Sequence, residues 1–201
     1  MTMMRILCLV TLLCAATSAV AATSPPNVRI RGVVASLAGE ALQVHTREGN
    51  TVTVEVPGDT KINVLAPLHM RDIKPGAFVG VTAILRGGGL QALEVHVFPE
   101  AMRGTGEGHY DWDLEPGSTM TNANVDAIVS TNNGEELTLS YKGGRQDIAV
   151  PQGTPIITFT PASRKLLKPQ AGVFVIARRD ADGSLTALRI LVGKGSLKPP
   201  M

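Results

Sequence analysis

Cysteine is nearly absent from this chain of 201 residues, and its two occurrences, Cys8 and Cys14, both lie close to the N-terminus. Aromatic side chains make up only 3% of the residues, with a single Trp, Trp112. No apolar run reaches the roughly 20 residues that a membrane-crossing helix requires. The N-terminal stretch instead has one Arg (Arg5), a short apolar run from Ile6 to Leu13, and an Ala19-Val20-Ala21 ending. That pattern predicts a secretory signal peptide over residues 1–21 and an exported, periplasmic or secreted, protein. Leu7 and Leu13 precede the cysteines where an acylated cysteine of a bacterial lipoprotein would follow a small residue, so a lipid anchor is not expected. With both thiols in the leader, the mature chain lacks disulfides, thiolate metal sites and a cysteine nucleophile. Also missing are a G-x-S-x-G elbow, an H-E-x-x-H helix, a phosphate-binding loop and a dinucleotide fingerprint. These absences point away from an enzyme.

What the chain does contain is an internal repeat. Gly32-Val33-Val34 aligns with Ala127-Ile128-Val129, and Gly39-Glu40-Ala41-Leu42 with Gly134-Glu135-Glu136-Leu137, at a spacing of 95. Val56-Pro57 matches Val150-Pro151, Gly76-x-Phe78-Val79 matches Gly172-x-Phe174-Val175, and Leu90-x-Ala92-Leu93 matches Leu185-x-Ala187-Leu188, the spacing drifting only between 94 and 96. Duplication of one structural unit explains such a register.

Each copy carries the same succession of local signals. Val28 to Ser36, Leu42 to Thr46 and Thr51 to Val56 read as strands, the last alternating Val52, Val54, Val56 against Thr51, Thr53, Glu55, with Glu48-Gly49-Asn50 as a turn. An extended piece near Lys61 to Val64 precedes Pro67 to Lys74, which allows a helical turn ended by Pro75-Gly76. Two further strands, Ala77 to Leu85 and Leu90 to Val97, recur in the second copy at Val173 to Arg178 and Leu185 to Val192. The expectation is an all-β protein of two tandem five-stranded OB-like barrels, each with a short helical turn between strands 3 and 4. Barrel closure would remove the exposed edges of such short strands. The boundaries follow as a first barrel over residues 25–99, a connector over 100–123, a second barrel over 124–195 and a tail over 196–201.

The run Asp59-Thr60-x-Ile62, then Ile73-x-Pro75-Gly76-x-x-Val79-x-Val81, then Leu90-x-Ala92-Leu93-x-Val95 resembles a bacterial envelope domain of unknown function, a small OB-like β-barrel of exported proteins. The second copy keeps the pattern in Thr154-x-Ile156, Gly172-x-x-Val175 and Leu185-x-Ala187-Leu188-x-Ile190, with Gly153 in place of the Asp and Ala177 in place of the second Val. The resemblance implies architecture and export. Similar proteins are sometimes linked to metal transport, but the shared positions include no ligand set.

Charge and aromaticity single out the connector. Arg29 to Pro99 has seven Lys/Arg against six Asp/Glu, Glu100 to Ala123 one against five, and Asn124 to Met201 ten against six. Within the connector, Gly106 to Ala123 holds Trp112, Tyr110 and His109 among Asp111, Asp113 and Glu115. An extended backbone sends Tyr110 and Trp112 to one side and Asp111 and Asp113 to the other. The expected arrangement is an acidic strap drawn to the basic second barrel, its aromatics anchored in the cleft between the two.

Two binding chemistries compete with that packing role. Tyr110, Trp112, Asp111 and Asp113 are the candidate ligand-binding residues, the rings stacking on a sugar and the carboxylates accepting from its hydroxyls. His109, Asp111, Asp113 and Glu115 are the candidate metal ligands, for a divalent ion or copper. As a calcium loop the segment fails, because Pro116 stands where Gly is needed and Asn122 where a bidentate Glu belongs. Nucleic acid is disfavoured because the second copy's basic residues have no interleaved aromatics. The sequence therefore predicts a non-catalytic envelope module that binds a partner protein or polymer, with metal handling as the alternative; it identifies no cofactor and no oligomeric state.

Overall fold

A computed structural model describes residues 27–195 together with Pro199; the expected leader lies outside the described residues, as does the expected tail apart from Pro199. Thirteen strands and three single 3₁₀ turns make up the described chain. The first half contains β1 (Val28–Ala38), β2 (Ala41–Thr46), β3 (Thr51–Glu55), β4 (Lys61–Pro67), β5 (Phe78–Arg86) and β6 (Gly89–Val97). β7 (Gly108–Asp111) belongs to the connector. The second half contains β8 (Ser118–Thr131), β9 (Gly134–Tyr141), β10 (Gly144–Pro151), β11 (Ile156–Pro161), β12 (Gly172–Arg179) and β13 (Leu185–Val192). Element order is thus the same in both halves, and the all-β expectation holds. Among the described residues no helix is long and apolar enough to cross a membrane.

The expected helical turn is a three-residue 3₁₀ turn, Met70–Asp72, and it follows a fourth strand rather than the third. Its counterpart, Arg164–Leu166, follows β11, with Ser163 Oγ accepting from the Lys165 N–H. The extended piece is β4, whose apolar residues Ile62 and Leu65 are buried.

Strand pairing departs most from the sequence expectation. The meander β1–β2–β3 does not close on its own hairpin β5–β6; β1 pairs antiparallel with β12 of the second half, Ile30 opposite Val175. Conversely, β5 pairs with β8, Val79 opposite Ala123. The ring β5, β6, β8, β9, β10 closes through the parallel pair β10–β6, at Ile148 opposite Leu90. The other five, β13, β12, β1, β2 and β3, come together at a single parallel bridge, Thr186 to Glu55. Each five-stranded set therefore joins three strands of one half to two of the other. The two halves are interlocked, not placed in tandem, and residue 99 does not divide one set from the next.

β4 and β11 pair antiparallel at the centre, Leu65 opposite Phe159, and link β13 to β6 into one continuous sheet. Each five-stranded set has its own core: Val34, Leu42, Val44, Val175 and Ile190 in one, Val81, Val95, Leu137, Leu139 and Ile148 in the other. A third cluster lies between them, made of Leu65, Ile157, Phe159, Phe174 and Leu191, with Phe98, Met102, Trp112 and Ile176 packed over it. That third cluster exists only because the halves interlock. It forms the floor of the candidate site.

Candidate functional site

The side chains reaching the inter-set floor are placed by two bulges. In β6, Thr82 of β5 faces Glu94 and Ala83 faces Ala92, so Leu93 is an extra residue. A bulge of this kind reverses which face the following residues present. Ala92 and Val95 consequently enter the ring core, whereas Glu94 and His96 turn outward to the third cluster. β13 has the same irregularity, with Leu188 extra between Ala187 and Arg189. Ile190 enters its core, and Arg189 and Leu191 face the floor. Relative to the matching irregularities of β6 and β13, Glu94 corresponds to Arg189 and His96 to Leu191.

Glu94 and His96 are both buried, at 0% and 1% exposure, with a Glu94 carboxyl oxygen directly against His96 Nε2. Burial pushes the Glu94 carboxyl up to about 9, against the weaker opposing influence of Arg31 and Arg47. Burial likewise pulls the His96 imidazole down to about 3. The couple therefore holds one proton between its two groups near neutral pH, uncharged as a whole. His96 also meets the Phe159 ring edge-on at 5.7 Å.

The connector crosses above this floor. Gly106, at φ +59, and Gly117, at φ +77, supply left-handed turns that allow the chain to leave and rejoin the sheet. β7 pairs with β8, Tyr110 opposite Met120, and the Asn122 amide donates to the carbonyls of Thr105 and Gly106 and to Tyr110 Oη at 3.1 to 3.2 Å. Ser118 closes the tip, its hydroxyl shared between the Trp112 and Glu115 carbonyls. The connector is thus a hairpin arm of one ring, and six of its residues, 118–123, already belong to β8.

The expected alternation is present: Tyr110 and Trp112 are half-buried, Asp111 and Asp113 exposed. Trp112 packs on the third cluster with Tyr110 edge-on at 6.0 Å, and the Arg29 guanidinium lies 4.0 Å from its ring centroid. Arg29 covers the indole where a stacked sugar was expected. Asp113 accepts from Arg31 at 2.8 Å and lies 3.7 Å from Arg29. Partial burial would raise the Asp113 carboxyl, but the Arg31 hydrogen bond and the charges of Arg31 and Arg29 hold it below the usual carboxylate range. Glu115 reaches Arg86 at 3.5 Å. All three arginines come from the first half, so the strap is not held by the basic second half as its charge suggested. It spans the two sets nonetheless, because β1 stands beside β12.

The four candidate metal ligands do not converge. His109 shares a hydrogen bond with Thr121 Oγ1 at 2.8 Å and stacks on Tyr141, Asp113 and Glu115 are engaged by arginines, and Asp111 is exposed. Among the described residues no three of His, Asp or Glu are gathered as a metal site. Their i, i+2 spacing would share one face of an extended strand, but β7 ends at Asp111, and beyond it Asp113 is drawn to Arg31 of β1 and Glu115 to Arg86 of β5.

Beneath the arm is a cavity of about 250 Å³ lined from both sets, by Tyr110, Trp112 and Asn122 on one side and Arg29, Ile176 and Arg189 on the other, with His96 and Phe159 below. Two open depressions adjoin it, of about 600 and 620 Å³, and Thr105 and Arg189 line all three. Trp112 Nε1 and Asn122 Oδ1 are buried and make no hydrogen bond among the described residues. Glu94, His96, Arg31 and Arg189 were not candidates from the sequence. The signal that could have raised two of them is the 95-residue spacing read in the sequence, at which Glu94 corresponds to Arg189.

Residues 31–96 match the model of a family described as Domain of unknown function (DUF5666). Comparison with curated proteins and with solved structures finds no match. The matched segment runs from β1 through β6, and so contributes three strands to one five-stranded set and two to the other. The sequence unit and the closed structural unit are different objects in this protein.

Proposed function

We propose that the protein is an exported, non-catalytic binding module of the bacterial cell envelope, built from two interlocked copies of one β-domain, and that it binds an extended partner in the cleft under the arm. The observation carrying this reading is the pair of buried, unpartnered polar atoms, Trp112 Nε1 and Asn122 Oδ1, in residues lining the 250 Å³ cavity. Buried donors and acceptors in folded proteins are nearly always satisfied, so an unmatched donor and acceptor beside a cavity favour a polar guest. The cavity is smaller than the ~300–1,000 Å³ typical of small-molecule sites. It suits one residue of a longer chain, with the adjoining depressions taking its neighbours. The leader-like N-terminus supports export, and the shared element order of the two halves supports duplication.

The reading moves the site from the exposed strap to the cleft. Thr105 is exposed and lines all three spaces, so Thr105→Trp fills the mouth without disturbing a core. Immobilised full-length protein is expected to retain an envelope polymer or protein, and the Thr105→Trp form to lose it. Equal retention by both forms, with unchanged circular dichroism, would place binding elsewhere and sink the proposal.

A further inference from the structure

Arg189 is half-buried, and the only hydrogen-bonding partner of its guanidinium among the described residues is the sulfur of Met102, 3.9 Å from Nη1. No carboxylate lies within ion-pairing distance of it among those residues. The other floor and rim arginines differ: Arg31 and Arg29 hold Asp113, and Arg178 holds Asp180 at 2.7 Å. A desolvated guanidinium without a counter-charge is costly to keep, and burial alone lowers its pKa from the ordinary arginine value. Its position is the junction of the cavity and both open depressions.

The surroundings define what would meet it. Lys61, in register with Arg189 on the adjoining β4, lines both open depressions. Asp59, in one depression, is the one carboxylate among the residues lining the three spaces. Apart from the paired Arg178, the remaining polar lining of the two depressions is neutral and hydroxyl- or amide-bearing, as in Thr60, Asn63, Thr105 and Thr186. A planar guanidinium fork matches a carboxylate, and neutral donors and acceptors match sugar hydroxyls. An extended peptide would usually add to a free strand edge. Here β4 is paired on both sides by β11 and β13, and β13 by β4 and β12, so the strands lining the groove present no such edge. Two depressions of similar volume that meet the cavity at Thr105 and Arg189 fit successive units of a sugar chain better than a compact ligand.

We infer that the cleft binds an acidic, carboxylate-bearing glycan, with Arg189 gripping one uronate carboxylate and Lys61 contributing to the field along the groove. The inference rests on the cleft reading above and specifies its ligand. Its test is calorimetric titration of the full chain with trigalacturonate, alongside maltotriose, triglutamate and inorganic phosphate. Trigalacturonate is expected to bind, to weaken by about tenfold or more in Arg189→Gln and by less in Arg189→Lys, and to weaken as salt rises. Thr105→Trp, at an exposed position, is expected to abolish binding irrespective of Arg189. No heat with trigalacturonate, or undiminished binding by a folded Arg189→Gln, overturns the inference. Triglutamate binding as tightly as the sugar acid overturns the glycan assignment in favour of an acidic protein. Phosphate bound alone and trigalacturonate not bound reduces Arg189 to a generic anion contact and also overturns it. Maltotriose bound in a Thr105-dependent way would overturn the acidic ligand while leaving the cleft as the binding site.

Discussion

Replacing Glu94 with glutamine offers a direct test of the buried floor. In the folded protein the Glu94 carboxyl is pushed up to about 9 and the His96 imidazole down to about 3, from ordinary values of 4.5 and 6.5. For Glu94 the folded state holds a proton that the unfolded state releases above 4.5, so its contribution is full below that pH and is lost as pH climbs toward 9. For His96 the unfolded state holds the extra proton between about 3 and 6.5, so its contribution appears as pH rises through that window. Between 4.5 and 6.5 the two slopes have opposite sign and cancel, since folded and unfolded couples each carry one proton. Stability should therefore be level there, decline below it, and decline again above it. The alkaline slope is roughly 1 kcal/mol per pH unit, about 3 kcal/mol in all by pH 9. In the Glu94→Gln variant a neutral carboxamide can still donate to His96 and has no proton to release. Urea unfolding midpoints at pH 6, 7.5 and 9, converted with a common slope, measure the difference. The wild-type chain should lose stability across that range and Glu94→Gln should not; parallel curves would show that Glu94 is ionised in the fold and would refute the argument.

Three further outcomes are expected. Trp112→Ala removes a half-buried indole from the inter-set cluster and its contact with Arg29, which should cost about 2 kcal/mol, less than the ~3–5 kcal/mol of a fully buried Trp, and lower the melting temperature by about 4 to 8 °C in a circular-dichroism scan. Gly80→Ala places a methyl 2.5 Å from Asn122 Oδ1 and 3.0 Å from the Phe98 ring, so it should destabilise by about 1 to 3 kcal/mol in urea and loosen the arm that Asn122 holds. Residues 27–99 and 100–195 produced as separate chains should each lack a cooperative unfolding transition as monomers and regain one when mixed in equal amounts, because each supplies only part of both five-stranded sets; a cooperatively folded monomer of either half, seen by ultracentrifugation with calorimetry, would contradict the interlocked pairing.

Strand positions were legible in the residues because alternation and turn chemistry are local. Val28 to Ser36 became β1, Leu185 to Val192 matched β13, and Glu48-Gly49-Asn50 stands between β2 and β3 as read. The inward Tyr110 and Trp112 and outward Asp111 and Asp113 were legible for the same reason. The Glu94–His96 couple was not, since a bulge at Leu93 reverses the strand's faces and nothing near Leu93 announces it. Nor could net charge name the partners of Asp113 and Glu115, because the arginines facing them depend on which strands are neighbours.

Composition and periodicity alone thus determined an all-β chain, its strand succession and the existence of a distinctive connector. Which hairpin completes which meander was decided only in three dimensions. With one apolar pattern in both halves, each meander meets two hairpins that its own side chains scarcely distinguish. β4 resolves the choice physically: seven extended residues, spanning about 20 Å, carry the chain away from the first meander before β5 begins, and the antiparallel pairing of β4 with β11 locks the exchange. The cleft, its couple of buried titrating groups and the uncompensated Arg189 are all products of that exchange.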